Sequence, residues 1–74
     1  MPRMPNHGWK EAKRALLKLG FAQERCHGDH LVFWREGLNR PVVLPQYDSL
    51  PPFIISNIIR VGKIDRDEYI AALK

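Results

Sequence analysis

Gly20 separates two kinds of hydrophobic pattern, and no other position constrains the fold as tightly. Ahead of it, Trp9, Ala12, Leu16 and Leu19 recur at spacings of three and four, the period that puts apolar side chains on one face of a helix. A glycine directly after such a run ends a helix cheaply in a left-handed conformation. Lys10, Arg14 and Lys18, four residues apart, line up on the opposite, solvent face. Directly after Gly20 the helical period is lost. Residues 21–26 are strand-like but weakly patterned, and residues 30–35 form a dense run of aromatic and β-branched side chains suited to a sheet interior. Glu36, Gly37, Leu38 and Asn39 carry turn chemistry, and residues 41–45 are a short apolar run bounded by prolines. One helix followed by three antiparallel strands is the expectation.

The rest of the chain returns to helical signals. Ser49 ahead of Leu50, Pro51 and Pro52 can cap a second helix, because prolines are tolerated in a first turn whose N–H groups lack partners. Phe53, Ile54, Ile55, Ile58 and Ile59 give that helix an apolar face nearly continuous enough for full burial, up to a stop near Gly62. Asp65 and Glu68 have capping-box spacing, and Ile64 can staple onto Tyr69 to open a short last helix docked by Tyr69, Ile70 and Leu73. The predicted class is α+β, in the order helix, three strands, helix, short helix. Pro2, Pro5 and Gly8 oppose regular structure, so residues 1–8 read as a flexible lead-in with Asn6 near the helix start, and residues 9–74 as one domain.

A chain of 74 residues suits a single core, and 45% hydrophobic with 27% charged residues is ordinary for a folded domain. So small a core also favours stabilisation by a bound partner. The formal charge of +4 is uneven: residues 1–40 hold eight Lys and Arg against four Asp and Glu, and residues 41–74 hold four of each. A positive field of this kind favours polyanions such as nucleic acid. Cys26 is the sole cysteine and has no partner for an internal disulfide; together with the lack of a secretion signal this points to a reducing, cytoplasmic setting. No apolar run approaches the roughly 18 residues that cross a bilayer, so no membrane association is expected.

The polar residues Cys26, His27, Asp29 and His30 crowd the junction of the first two strands, with Gly28 free to turn. Zinc is not expected there, because structural sites draw ligand pairs from two places and the only further candidate is lone His7. The alternative is proton chemistry. An imidazole, with its ordinary pKa of about 6.5, can take and return a proton at neutral pH. Near RNA it could deprotonate a ribose 2′-OH for attack on the adjacent phosphate while Arg or Lys stabilises the developing charge. By spacing alone, a packed or hydrogen-bonded histidine is the simpler account of His30, and spacing does not establish catalysis. His27, three residues away, would face the other side if both lay on one regular strand, which makes it second choice. Tyr47 and His7 could approach the junction in space. Ser49, His30 and Asp48 form no recognisable acyl-transfer set, since no nucleophile-elbow pattern accompanies them.

The order of motifs resembles the HicA-type (YcfA) bacterial toxin family: Leu19-Gly20-Phe21, a segment from Arg25 ending Gly28-Asp29-His30, Val42-Val43-Leu44-Pro45, and Ile58-Ile59-Arg60 with Gly62 followed by residues 64–69. The resemblance spans about residues 9–73. It implies a double-stranded-RNA-binding-domain-like fold and a ribosome-independent messenger-RNA endonuclease that needs no metal or other cofactor. It further implies a catalytic histidine ending a Gly-Ser-His motif and inhibition by a HicB-type antitoxin. That histidine corresponds to His30, with Asp29, Tyr47 and His27 as possible assistants. Lys10, Arg14, Lys18, Arg25 and Gly28 would then contact RNA, since this fold recognises RNA through shape and phosphates. Two departures stand out. Asp29 replaces the serine, and can either orient the imidazole or repel phosphates; Pro45-Gln46-Tyr47 stands where many members carry a second histidine. The rival readings are an RNA-binding module without catalysis, and a protein-interaction domain using Leu17 and the last helix.

Overall fold

A computed structural model describes residues 3–74; the first two positions of the expected lead-in lie outside the described residues. The elements run α1 (Trp9–Lys18), β1 (Ala22–His27), β2 (His30–Trp34), β3 (Val42–Pro45), α2 (Pro52–Val61) and α3 (Arg66–Ala72). The strands form one antiparallel sheet in the order β1-β2-β3, so the α+β layout is as expected.

Strand alternation sorts the sheet into two faces. Leu31, Phe33, Val42 and Leu44 point to the helices and join Ala12, Ala15, Leu16, Ile55, Ile58 and Tyr69 in one buried cluster. Helices α1 and α2 both lie against β3, and α3 packs on α1. Among the described residues, no helix covers the other face of the sheet.

Helices α1 and α2 end in the same backbone motif. After α1, the Phe21 N–H donates to the Leu16 carbonyl at 3.0 Å and the Gly20 N–H to Leu17 at 3.2 Å, with Gly20 left-handed at φ 91°. After α2, the Ile64 N–H donates to Ile59 at 3.0 Å and the Lys63 N–H to Arg60 at 3.3 Å. These paired bonds define the Schellman ending. The left-handed residue of the second ending is Lys63, at φ 51°, and not the expected glycine: Gly62 is right-handed. Gly62 is needed for a different reason, since a Cβ there would lie 2.9 Å from the Ile58 carbonyl oxygen. Arg35 ties both endings together, its guanidinium donating to the carbonyls of Leu19 and Gly62, each at 2.9 Å, while stacking over Phe21.

Several local expectations are corrected. Ser49 does not cap α2, which starts at Pro52 after Pro51 with no side-chain cap. The α2 face is not fully buried either: Ile55 and Ile58 are inside, but Phe53 is 71% exposed, because the helix covers β3 along one stripe only. Asp65 does cap α3, accepting from the Asp67 N–H at 2.8 Å in place of the expected capping box with Glu68. The N-cap of α1 is Gly8, two residues after Asn6, and its N–H donates to the Glu11 carboxylate at 2.5 Å. The segment before it is anchored from Pro5 onward. His7 is buried, its Nδ1 donating to the Pro5 carbonyl at 2.9 Å and its Nε2 accepting from the Tyr69 hydroxyl at 2.8 Å, while the Leu50 N–H donates to the His7 carbonyl.

Candidate active site

The site is built on the hairpin joining β1 to β2. Gly28 and Asp29 form a two-residue turn in which Gly28 alone has positive φ, 65°, the pattern of a type II′ connection. That turn makes His27 and His30 direct cross-strand partners. The odd separation that would set them on opposite faces of one strand therefore does the reverse, because opposed residues of a hairpin share a face. A bulge between Gln23 and Arg25 shifts the register only beyond Arg25, leaving the ladder next to the turn regular. The Gln46 N–H donates to the Asp29 carbonyl at 2.9 Å, and the Cys26 thiol to the Gly28 carbonyl at 3.2 Å, which fixes the turn from both sides.

On the uncovered sheet face the hairpin ends in a shallow concavity of about 420 Å³ lined by Arg25, His27, His30, Val32 and Val43. His30 Nδ1 lies 2.8 Å from Asp29 Oδ1. An ionised carboxylate can only accept, so Nδ1 carries a proton, and in the neutral imidazole the lone pair is on Nε2. The imidazole is thus oriented, with its side chain 45% exposed, while Asp29 stands further out at 75%. Among the described residues, Arg25 is the one Lys or Arg side chain lining the hollow.

The other candidates lie elsewhere. Tyr47 follows the end of β3 and does not line the concavity; its backbone carbonyl accepts from the Trp9 N–H at 3.0 Å, linking the start of α1 to this end of the sheet. Lys10 is near that link, over the Trp9 ring at 5.8 Å. Arg14 is exposed further along the helix, and Lys18 donates to the Lys74 carbonyl at 2.6 Å. Because α1 lies on the covered side of the sheet, this basic row does not join the concavity. His7 is buried against Tyr69, away from the junction it might have reached. Among the described residues, no three His, Cys, Asp or Glu side chains gather as metal ligands would.

Residues 9–64 match the family model described as HicA toxin of bacterial toxin-antitoxin, which covers most of the chain. The chain belongs to the HicA toxin family. No curated protein and no solved structure matches it. As a HicA toxin it acts as the toxin of a toxin–antitoxin pair and has an antitoxin as its partner. The match stops before α3, which packs against α1. What taking both histidines along one strand missed in this HicA toxin is the pairing of His27 with His30. The signal was present in Gly28-Asp29, a glycine-led pair between two strand-like runs, which selects a two-residue hairpin.

Proposed function

We infer that the protein is a ribosome-independent endonuclease of messenger RNA, held in check by a HicB-type antitoxin, with His30 as the group that moves the first proton. The observation that carries this reading is the Asp29–His30 pair: an exposed imidazole, oriented through Nδ1, beside Arg25 in an open hollow. His30 Nε2 takes the proton of a ribose 2′-OH, the oxygen attacks the adjacent phosphorus, and the bond to the 5′-oxygen breaks. The products are a 2′,3′-cyclic phosphate and a 5′-hydroxyl. Asp29 keeps the imidazole in the useful tautomer and stabilises the imidazolium as it forms. Arg25 offsets charge on the phosphate oxygens. The chemistry needs no metal. Gly28 supplies the positive φ of 65° that the turn requires, and the space beside it is open to an approaching RNA backbone. Lys10, Arg14 and Lys18 hold flanking RNA, and Tyr47, outside the hollow, takes no part at the reacting phosphate.

The test is inducible expression of wild type and His30→Ala, with purified proteins assayed on RNA in the presence of EDTA. Wild type arrests growth and cleaves RNA in EDTA, and His30→Ala does neither, losing on the order of 10²–10⁴-fold in rate. Equal cleavage by both proteins, or loss of wild-type cleavage in EDTA, refutes the mechanism. RNA binding by both proteins with no cleavage by either would make the chain a binding module.

A further inference from the structure

Attack by a 2′-oxygen leaves one requirement unmet by His30: the departing 5′-oxygen must gain a proton. Resting on the endonuclease reading, we propose that His27 is the general acid, protonating that 5′-oxygen while His30 takes the proton from the 2′-OH.

The geometry supports the division of labour. Cross-strand partners stand about 4.5–5.5 Å apart at Cβ and project from the same face, so two imidazoles on such a pair can flank one phosphorus atom. His27 and His30 are such a pair and line the same hollow. Their surroundings differ. His30 is held by a carboxylate that supports positive charge arriving on it, as a base needs. Among the described residues no hydrogen bond holds the His27 ring, which is exposed and lines the hollow. Among the described residues, the charged and titratable groups facing it are Arg25 on its own strand and His30, with its partner Asp29, across the turn, and β3 adds only Val43 to the hollow. The balance closes: the O2′–P bond forms and the P–O5′ bond breaks. One proton leaves the 2′-OH for His30 Nε2, and another passes from the His27 imidazolium to O5′. Exchange with water restores both side chains.

The experiment compares wild type, His27→Ala, His27→Gln and His30→Ala on two dinucleotide-containing substrates, one natural and one with sulfur in place of the 5′-bridging oxygen. A thiolate leaves without a proton, so it bypasses the general acid. On the natural substrate, His27→Ala and His27→Gln lose on the order of 10²–10⁴-fold in rate. On the sulfur substrate both recover to within about tenfold of wild type, and His30→Ala stays inactive. The wild-type rate rises and then falls with pH, and His27→Ala loses the fall on the alkaline side, because the acid must be protonated to work. Wild-type rates in both His27 variants, or a loss that sulfur does not relieve, overturn the assignment while leaving the endonuclease intact. Relief of His30→Ala in place of His27→Ala reverses the roles and overturns it as well. A wild type that cuts neither substrate removes the endonuclease reading and this one with it.

Discussion

Tyr69 shows how much one residue can settle in a domain this small. Its side chain is fully buried, its hydroxyl donates to His7 at 2.8 Å, and that single bond closes the N-terminal segment onto α3. Burial, with a smaller contribution from the Glu11 carboxylate, pushes the phenol well above its ordinary value of 10.0. The sign follows directly. Above pH about 10 the unfolded chain releases this proton and the folded chain keeps it, so stability falls as pH rises, by up to about 1.4 kcal/mol per pH unit. Tyr69→Phe is expected to lose about 1–3 kcal/mol at neutral pH, because His7 Nε2 is left buried without a donor. It is also expected to flatten the alkaline decline. Urea denaturation of both proteins between pH 7 and 11 reads both effects.

At the scale of elements, the two Schellman endings make a controlled comparison. Gly20 occupies the left-handed position after α1 at no steric cost, whereas Lys63 occupies the same position after α2 with a Cβ crowding the following carbonyl. Lys63→Gly is therefore expected to stabilise the protein by about 0.5–1 kcal/mol, after allowing for the backbone freedom glycine gains in the unfolded chain. The Lys63 ammonium also donates to the Gly37 carbonyl at 3.1 Å, an exposed bond whose loss trims the gain only slightly. A shift of the urea midpoint to higher concentration with an unchanged slope is the measurement that checks it; a lower midpoint would show that the αL strain is already relieved by the bonds of the motif.

For the molecule as a whole, the excess positive charge of residues 1–40 is divided between two surfaces. Arg25 lines the hollow on the open sheet face, while Lys10, Arg14 and Lys18 belong to a helix on the covered side. On the proposed endonuclease reading, a short RNA seated at the histidines would touch the first surface alone, and a long transcript would reach both. On an oligonucleotide of about four nucleotides, Arg25→Ala should lower the slope of log affinity against log salt by roughly 0.7–1, and Arg14→Ala should leave it unchanged. On a long transcript both substitutions should lower it. Equal effects of Arg14→Ala on both lengths would place the helix and the hollow on one continuous RNA track.

Local signals were sufficient wherever a side chain acts on its own backbone. The α1 period with Gly20, the three short strands, the Asp65 cap and the order of elements could all be read from residue types, because propensity and turn chemistry act over a few positions. The Asp29–His30 contact was legible for the same reason, as the two are neighbours in the chain. Distant partners were not legible. Nothing near His7 indicates that its nitrogen meets a hydroxyl 62 residues away, nor does anything near Arg35 indicate that it holds the ends of two helices. Phe53 and Ile55 are alike in hydrophobicity, yet one is exposed and one buried, because the placement of α2 on β3 decides which stripe is covered. The pairing of His27 with His30 lies between the two cases. The glycine-led turn makes the hairpin a local matter, but the face on which both imidazoles emerge stays open because α1 and α2 pack on the other side of the sheet.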